Sequence, residues 1–418
     1  MKDTLESFVR NSTLYDIARG VRKCWREFDK GLRKRKAPEK KVITLYPEGH
    51  SRGRVLFSYI INGFLLEPGA SIPKTHTNIW QSLKMAETFV ELGYEIDVIH
   101  YTNQSFVPRG NYSFFVDVRH NLERIAPLLN TDCVKIMHLD TANILFHNAA
   151  GAKRLLELQE RRGITLRPRR FEMPNFGMEH ADYATTTGND FTVKSFNYAN
   201  KNIYKLPSPC GITLDFTEKN WDQCRRNFLW FSSSGLVHKG LDLALEAFLD
   251  MPDCHLTVCA PLDRDQDFVR AYHKELYETD NIHTVGWVDI DSSQFRDITA
   301  NCVATVHLSC AEGGAPSVKM CMHAGLIPIV SYESGVDVDD FGFTLKDCSI
   351  ANIASVIRQI TTLSENELQK RAQSSWKFSR SHYTRKNFAK EYRRVILEII
   401  AETQGKDPGY KGKRQSSN

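Results

Sequence analysis

The chain is poor in the features that mark several protein classes. It has ten cysteines among 418 residues, yet no two form a C-x-x-C pair. Zinc ribbons and small disulfide scaffolds need clustered spacings, so reduced and mostly buried thiols are the expectation. Long apolar runs are missing too. The longest stretch, Val55 to Leu66, is interrupted by Ser58, Asn62 and Gly63. It is shorter than the roughly 20 apolar residues of a bilayer-spanning helix. The amino terminus, MKDTLESF, lacks the charged-then-apolar order of a secretory signal, so a cytoplasmic setting is expected. No G-x-G-x-x-G follows the first expected strand, which argues against a dehydrogenase. No cluster shows metal-ligand spacing, and neither a metal nor another cofactor is expected.

Charge is unevenly placed. The net charge is +5, but residues 19–41 hold eleven Lys/Arg against three acids. The remaining body is slightly acidic, so no nucleic-acid partner is expected. Residues 1–50 read as a separate basic extension. Leu14, Ala18, Val21, Trp25, Phe28 and Leu32 recur at spacings of four and three and share one helical face. Arg19, Arg22, Lys23, Arg26, Lys30 and Arg33 occupy the other faces, and Pro38 stops the pattern. A basic amphipathic helix over residues 14–36 suits an anionic membrane surface, each cation adding about 1 kcal/mol near the leaflet. That would make the protein peripheral at the inner face of the membrane. The alternative is a helix docked on its own domain with a solvated basic face.

From Val55 onward strands alternate with helices. Strands are expected at 54–61, 95–101, 114–118, 134–139 and 183–187, with a helix from Thr77 or Asn78 to Leu92. After Pro207 and Pro209 the rhythm restarts, with strands at 228–231, 255–260, 282–287, 304–308 and 327–331, and helices at 241–250 and 267–277. The reading is α/β: two doubly wound Rossmann-like domains, 51–208 and 209–385, facing a cleft, followed by a helix and tail over 386–418. The helical stretch Phe388–Ile400 can pack back across either unit. In such sheets ligands bind outside the carboxyl ends of the strands, so the strand-to-helix loops carry the functional signal.

One loop runs from Ser232-Ser233-Ser234-Gly235 to His238-Lys239-Gly240. Small residues let backbone N–H groups approach an anion, and the following helix N-terminus and Lys239 favour negative charge. The plain alternative is a helix start with a solvated lysine. A second loop is Ser309-Cys310-Ala311-Glu312-Gly313-Gly314-Ala315-Pro316. Glu312 either stabilises a helix dipole or grips a sugar hydroxyl beside a phosphate held by bare backbone.

With Asn281–Asp289, "NIHTVGWVD", and the ending "HAGLIPIV", these two loops resemble the carboxyl-terminal domain of GT-B fold, family 4 glycosyltransferases. The resemblance covers most of Phe228 to Val330; in the amino-terminal half, "TNIWQSLKMAETFVELGYEIDVIHY" is similar to the family's first helix and next strand. It implies the following roles. Lys239 holds the donor diphosphate, with Ser234 and Gly235 on the same loop. Glu312 contacts the donor sugar, and the backbone of Gly313, Gly314 and Ala315 meets sugar and phosphate. Trp287 and Val288 flank the base. His138, at a strand end, is the catalytic histidine, against the alternative of a core histidine; His120 and His147 are lesser candidates. Gly69 represents the cleft loop of the first domain. The family retains anomeric configuration and needs no bound metal.

Two positions depart from the family pattern. Ser234 stands where an arginine is usual. Met320 stands where the second glutamate of E-x7-E binds ribose, and a thioether is a poor acceptor. The partners implied are a nucleotide-sugar donor and a glycan or lipid-linked acceptor, in cell-envelope polysaccharide synthesis. The alternatives are a catalytically silent GT-B scaffold that binds glycan or a partner, and a nucleotide-sugar epimerase. The basic run Arg161, Arg162, Arg167, Arg169 and Arg170 reads as a solvated loop or as an acceptor- or phosphate-facing surface.

Overall fold

The computed structural model describes residues 41–404 apart from Pro68, Thr75 and His76. The amphipathic helix expected over residues 14–36 lies outside the described residues.

Strands β1 (Val42–Leu45), β2 (Arg54–Tyr59), β3 (Glu95–His100), β4 (Phe114–Asp117), β5 (Val134–Leu139), β6 (Tyr183–Thr186) and β7 (Asn202–Lys205) form one seven-stranded sheet. Its order is β1-β3-β2-β4-β5-β6-β7, parallel except for the antiparallel pair β1–β3. Strands β8 (Asn227–Phe231), β9 (His255–Cys259), β10 (Ile282–Thr284), β11 (Ala304–His307), β12 (Ile327–Ser331) and β13 (Phe343–Leu345) form a six-stranded parallel sheet, β10-β9-β8-β11-β12-β13. The helices that bear on the site are α1 (Thr77–Glu91), α2 (Ile144–Arg162), α3 (Leu241–Leu249), α4 (Ser293–Ala300), α5 (Pro316–His323), α6 (Ile350–Thr362), α7 (Glu365–His382) and α8 (Arg385–Gln404).

The central strands are covered on both faces, which is why they read as continuous apolar runs. Val55, Leu56, Phe57 and Tyr59 of β2 and Phe228, Leu229 and Trp230 of β8 are all buried. The edge elements were less legible. β1, β7 and β13 were not expected, and β1 falls in the stretch read as extension. They are only three or four residues long and partly exposed, too short for a strand period to show. The expected strand 282–287 ends at Thr284, because Gly286 takes φ +87° and turns the chain away. The expected helix 267–277 is two shorter pieces that meet at Tyr272, whose φ of −115° leaves the helical region.

Two helices tie the halves together. Asn143 caps α2 through Leu145 and Phe146 N–H, and Gly163 ends it in the left-handed conformation. Leu158 of α2 and Leu166 beyond it join the core of the second unit, among Phe228, Trp230 and Leu241. In the opposite sense α8 leaves the second unit and buries Phe388, Tyr392, Val395, Ile396 and Ile399 in the core of the first.

Candidate active site

The strand order places the carboxyl ends of β8 and β11 side by side. The loops that follow are sewn together: Cys310 N–H donates to His238 O (2.9 Å) and Leu308 N–H to Lys239 O (3.3 Å). His238 Nε2 donates to Ala311 O at 2.7 Å. This lacing brings Lys239 and Glu312 together across a long stretch of sequence. Lys239 Nζ lies 3.9 Å from Glu312 Oε1, and both side chains are buried.

A third charge completes the group. Arg170 Nη1 stands 3.6 Å from the same Oε1. Burial alone would raise the Glu312 pKa, but Arg170 and then Lys239 outweigh it and hold the carboxyl well below the usual range. The Lys239 ammonium is pushed down to about 8 by burial, against the pull of Glu312. Lys239 Nζ also donates to Ser233 Oγ at 2.9 Å, at the outer edge of the site. Two cations therefore share one carboxylate, and each pair is worth about 4 kcal/mol at an effective dielectric near 20, before desolvation. Around them sit neutral histidines. Burial lowers His238 and His307 to about 3. Among the described residues, neither ring nitrogen of His307 nor the hydroxyl of Ser232 has a hydrogen-bond partner, although both side chains are buried.

Arg170 was not read as a site residue. Its run was read as a whole, either as a solvated loop or as an acceptor- or phosphate-facing surface, and it is not a solvated loop. Arg161 pairs with Asp242 (2.7 Å) and Glu246 (2.8 Å), Arg162 with Glu275 (2.6 Å), and Arg169 with Asp265 (3.0 Å) and Asp267 (2.6 Å). The segment after α2 is thus clamped onto the second unit. His147, whose ring lies 4.5 Å from that of His238, donates through Nε2 to Arg170 O at 2.6 Å.

The other expected residues fall in different surroundings. Gly313 and Gly314 are pressed against the first unit rather than open. A Cβ on Gly313 would stand 2.4 Å from the Asp140 carbonyl, and one on Gly314 2.4 Å from Thr187 O. Thr187 Oγ1 donates to Gly313 O (3.2 Å), and Lys319 Nζ to Thr187 O (3.0 Å) and Ser208 Oγ (2.6 Å). Ala315 enters α5 with φ +25°, a strained value for a residue with a Cβ. Met320 points into an apolar cluster that also holds Val288, Phe295 and Met322. Trp287, next to Val288 in the chain, is half-exposed, with 52% of its surface open. Ser234 is partly exposed between Ser233 and Gly235. Gly69 sits at an exposed loop tip with φ +84°; further along that loop, Lys74 bridges to Asp291 at 2.9 Å, so the loop reaches the second unit.

His138 is buried with both ring nitrogens engaged inside its own unit. Gln81 Nε2 donates to Nε2 (2.7 Å) and Nδ1 donates to Thr185 Oγ1 (2.8 Å). Burial lowers its pKa to about 4. That is the surroundings of a core histidine. His120 accepts a long contact from Asn175 Nδ2 to Nδ1 at 3.5 Å.

Two clefts lie in this part of the molecule, and the first is lined by Arg170. One, of about 400 Å³, lies between α2 and the Gly235–His238 turn, with Leu155, Pro168, Arg169, Arg170 and Asp265 in its walls. The other, about 310 Å³, lies beyond the carboxyl ends of β4 and β5, walled by Arg119, Leu139, Asp140, Phe176 and Tyr198. Arg119 is held there between Asp140 (2.8 Å) and Glu172 (2.5 Å). Among the described residues, no three His, Cys, Asp or Glu side chains gather as a metal site, and no helix is long and apolar enough to cross a membrane.

No protein-family model matches the chain, and no curated protein matches it. Solved structures do. Sucrose-phosphate synthase from Thermosynechococcus elongatus aligns with a TM-score of 0.56 at 12% identity, covering 84% of this chain and 100% of that one. Anabaena Alr3699/HepE, solved in complex with UDP and glucose, aligns at 0.50 and 13% identity, covering 84% and 100%. WaaG, a glycosyltransferase involved in lipopolysaccharide biosynthesis, aligns at 0.50 and 11% identity, covering 82% and 99%. The chain has the GT-B fold of glycosyltransferases; the likeness is one of fold.

Proposed function

We propose that this protein is a retaining, metal-independent glycosyltransferase of hexosyltransferase type. It takes a sugar from a nucleotide-sugar donor and passes it to a glycan or lipid-linked acceptor in cell-envelope polysaccharide synthesis. The observation that carries the reading is the buried Lys239–Glu312 pair at the carboxyl ends of adjacent strands β8 and β11. A fixed cation beside a helix N-terminus suits the charge that develops on a departing diphosphate, and it needs no reorganisation to act. The ionised Glu312 accepts from donor-sugar hydroxyls. The solved structure of HepE with UDP and glucose, on the same fold, supports this ligand class.

The acceptor belongs to the first unit, at the cleft beyond β4 and β5. There the apolar and aromatic wall of Leu139, Phe176 and Tyr198 suits a sugar face, and Asp140 suits its hydroxyls. The acceptor hydroxyl attacks the face that the diphosphate leaves, the C–O bond electrons go to the diphosphate, and the hydroxyl proton is taken up by that leaving group. The basic residues 14–36 would bring the enzyme to the inner face of a membrane that carries the acceptor.

One observation favours the silent-scaffold alternative: Met320 lies in the apolar core, so α5 offers no carboxylate there for ribose. Both readings meet the same experiment. UDP-glucose, GDP-mannose, ADP-glucose and dTDP-glucose are tested for protection against thermal unfolding of wild type, Lys239→Ala and Glu312→Ala. The expectation is that one donor raises the Tm of wild type and loses most of that effect in both variants. If no donor protects wild type, the enzyme reading fails.

A further inference from the structure

The group at the β8 and β11 ends holds more positive charge than its own unit supplies. The Ser232–Gly240 loop contributes one cation, Lys239, and Ser234 on it offers only a hydroxyl. The second cation, Arg170, comes from the segment that follows α2, a helix that begins in the first unit. That side chain is built into place from three directions. Arg169 beside it is fixed by Asp265 and Asp267. The Arg170 carbonyl is held by His147. Its methylene stem lies over Gly235, which takes φ +89° and where a Cβ would stand 2.5 Å from Cδ and 2.7 Å from Cγ. A residue with any side chain at 235 would displace the arginine.

A buried lysine and a partly buried arginine facing a single buried carboxylate make an unbalanced arrangement, since isolated buried charge is costly. Close by, Ser232 Oγ and both nitrogens of His307 are buried without partners among the described residues. His307 lies near enough to feel the charges of Glu312, Lys239 and Arg170. Excess positive charge together with unused polar atoms, before the N-terminus of α3, describes a seat for an anion of more than one charge.

We infer that Arg170 is a diphosphate-binding residue of the donor site, supplied across the interface between the two units. In the donor-free protein its guanidinium is engaged with Glu312. When donor binds, the guanidinium takes the diphosphate together with Lys239 and frees the Glu312 carboxylate for the sugar. The inference rests on the donor-binding reading above and adds that the site is complete only when the α2 segment is docked on the second unit.

Calorimetry with the donor that protects wild type, and with its parent nucleoside lacking phosphates, tests this on the full chain. A hydrogen bond to a charged group is worth about 1.5–3 kcal/mol, so Arg170→Ala should weaken donor binding roughly ten- to hundredfold. Nucleoside binding should stay within about twofold of wild type. Arg170→Lys should keep part of the affinity. Ser234→Arg in the Arg170→Ala background should restore it, because position 234 adjoins the glycine over which the native guanidinium stem lies. Wild-type donor affinity in Arg170→Ala overturns the inference and leaves the donor reading standing. Equal loss of donor and nucleoside also overturns it, because the residue is then structural. A chain that binds no donor at all removes the reading and the inference together.

Discussion

At the scale of single residues, the site is a set of charges whose states are decided by burial. Lys239 shows this most directly. Its ammonium is lowered to about 8 by desolvation, so in the donor-free protein it loses its proton as the pH rises past that value. Two consequences have opposite sign. Donor affinity should fall between pH 7 and pH 9, because a neutral amine no longer attracts the diphosphate. Stability of the donor-free protein should gain over the interval from about 8 to the unfolded value near 10.4, where the unfolded chain binds the extra proton. Lys239→Arg, which stays charged, should flatten both profiles. Titration calorimetry and thermal melts across that range measure them, and an affinity that rises with pH would sink the assignment. Lys239 and Glu312 were readable in advance because small residues and a helix start surround each in the chain. Arg170 was readable only as one of five arginines in a basic run, because what distinguishes it from the others is the carboxylate it meets, which is distant in sequence.

At the scale of elements, the glycine-rich loop before α5 has a role that its sequence did not disclose. Gly313 and Gly314 were expected to leave backbone bare for a ligand. They also allow the backbone of the first unit to come within contact, at Asp140–Thr141 and Thr187. Gly313→Ala places a methyl group 2.4 Å from the Asp140 carbonyl, closer than real Cβ contacts allow, so the two units must part. The expected outcome is a lower Tm and a larger radius of gyration in small-angle scattering. An unchanged radius and Tm would mean that the apposition seen here is not the dominant arrangement in solution. The same close packing requires the units to separate for a donor to reach that backbone. Helix α2 and the segment after it form the counterpart: five carboxylates of the second unit receive Arg161 and Arg162 of the helix and Arg169 beyond it. A run of positive charge reads as solvated until the acids that face it are located.

At the scale of the whole molecule, the two units are crossed twice, by α2 in one direction and by α8 in the other. The second crossing makes the carboxyl-terminal helix a structural part of the first unit. Ile396 is fully buried among Phe388, Tyr392 and residues of the first sheet's core. Ile396→Ala should cost about 2–5 kcal/mol, as cavity-forming core truncations do. Hydrogen exchange should show the loss in β2 and β3 rather than in β8 and β11; protection lost equally in both sheets would contradict this placement. The alternation of strand and helix, the restart after Pro207 and Pro209, and the candidate loops at strand ends were determined by the sequence alone. They depend on periodicity and on glycine and proline, which act within a few residues. Tertiary structure decided the rest: which loops touch, that His138 is enclosed by Gln81 and Thr185, that Met320 lies in the core, and that Arg170 meets Glu312. Those outcomes depend on pairings between distant residues and on the desolvation that follows, and neither is set by local pattern.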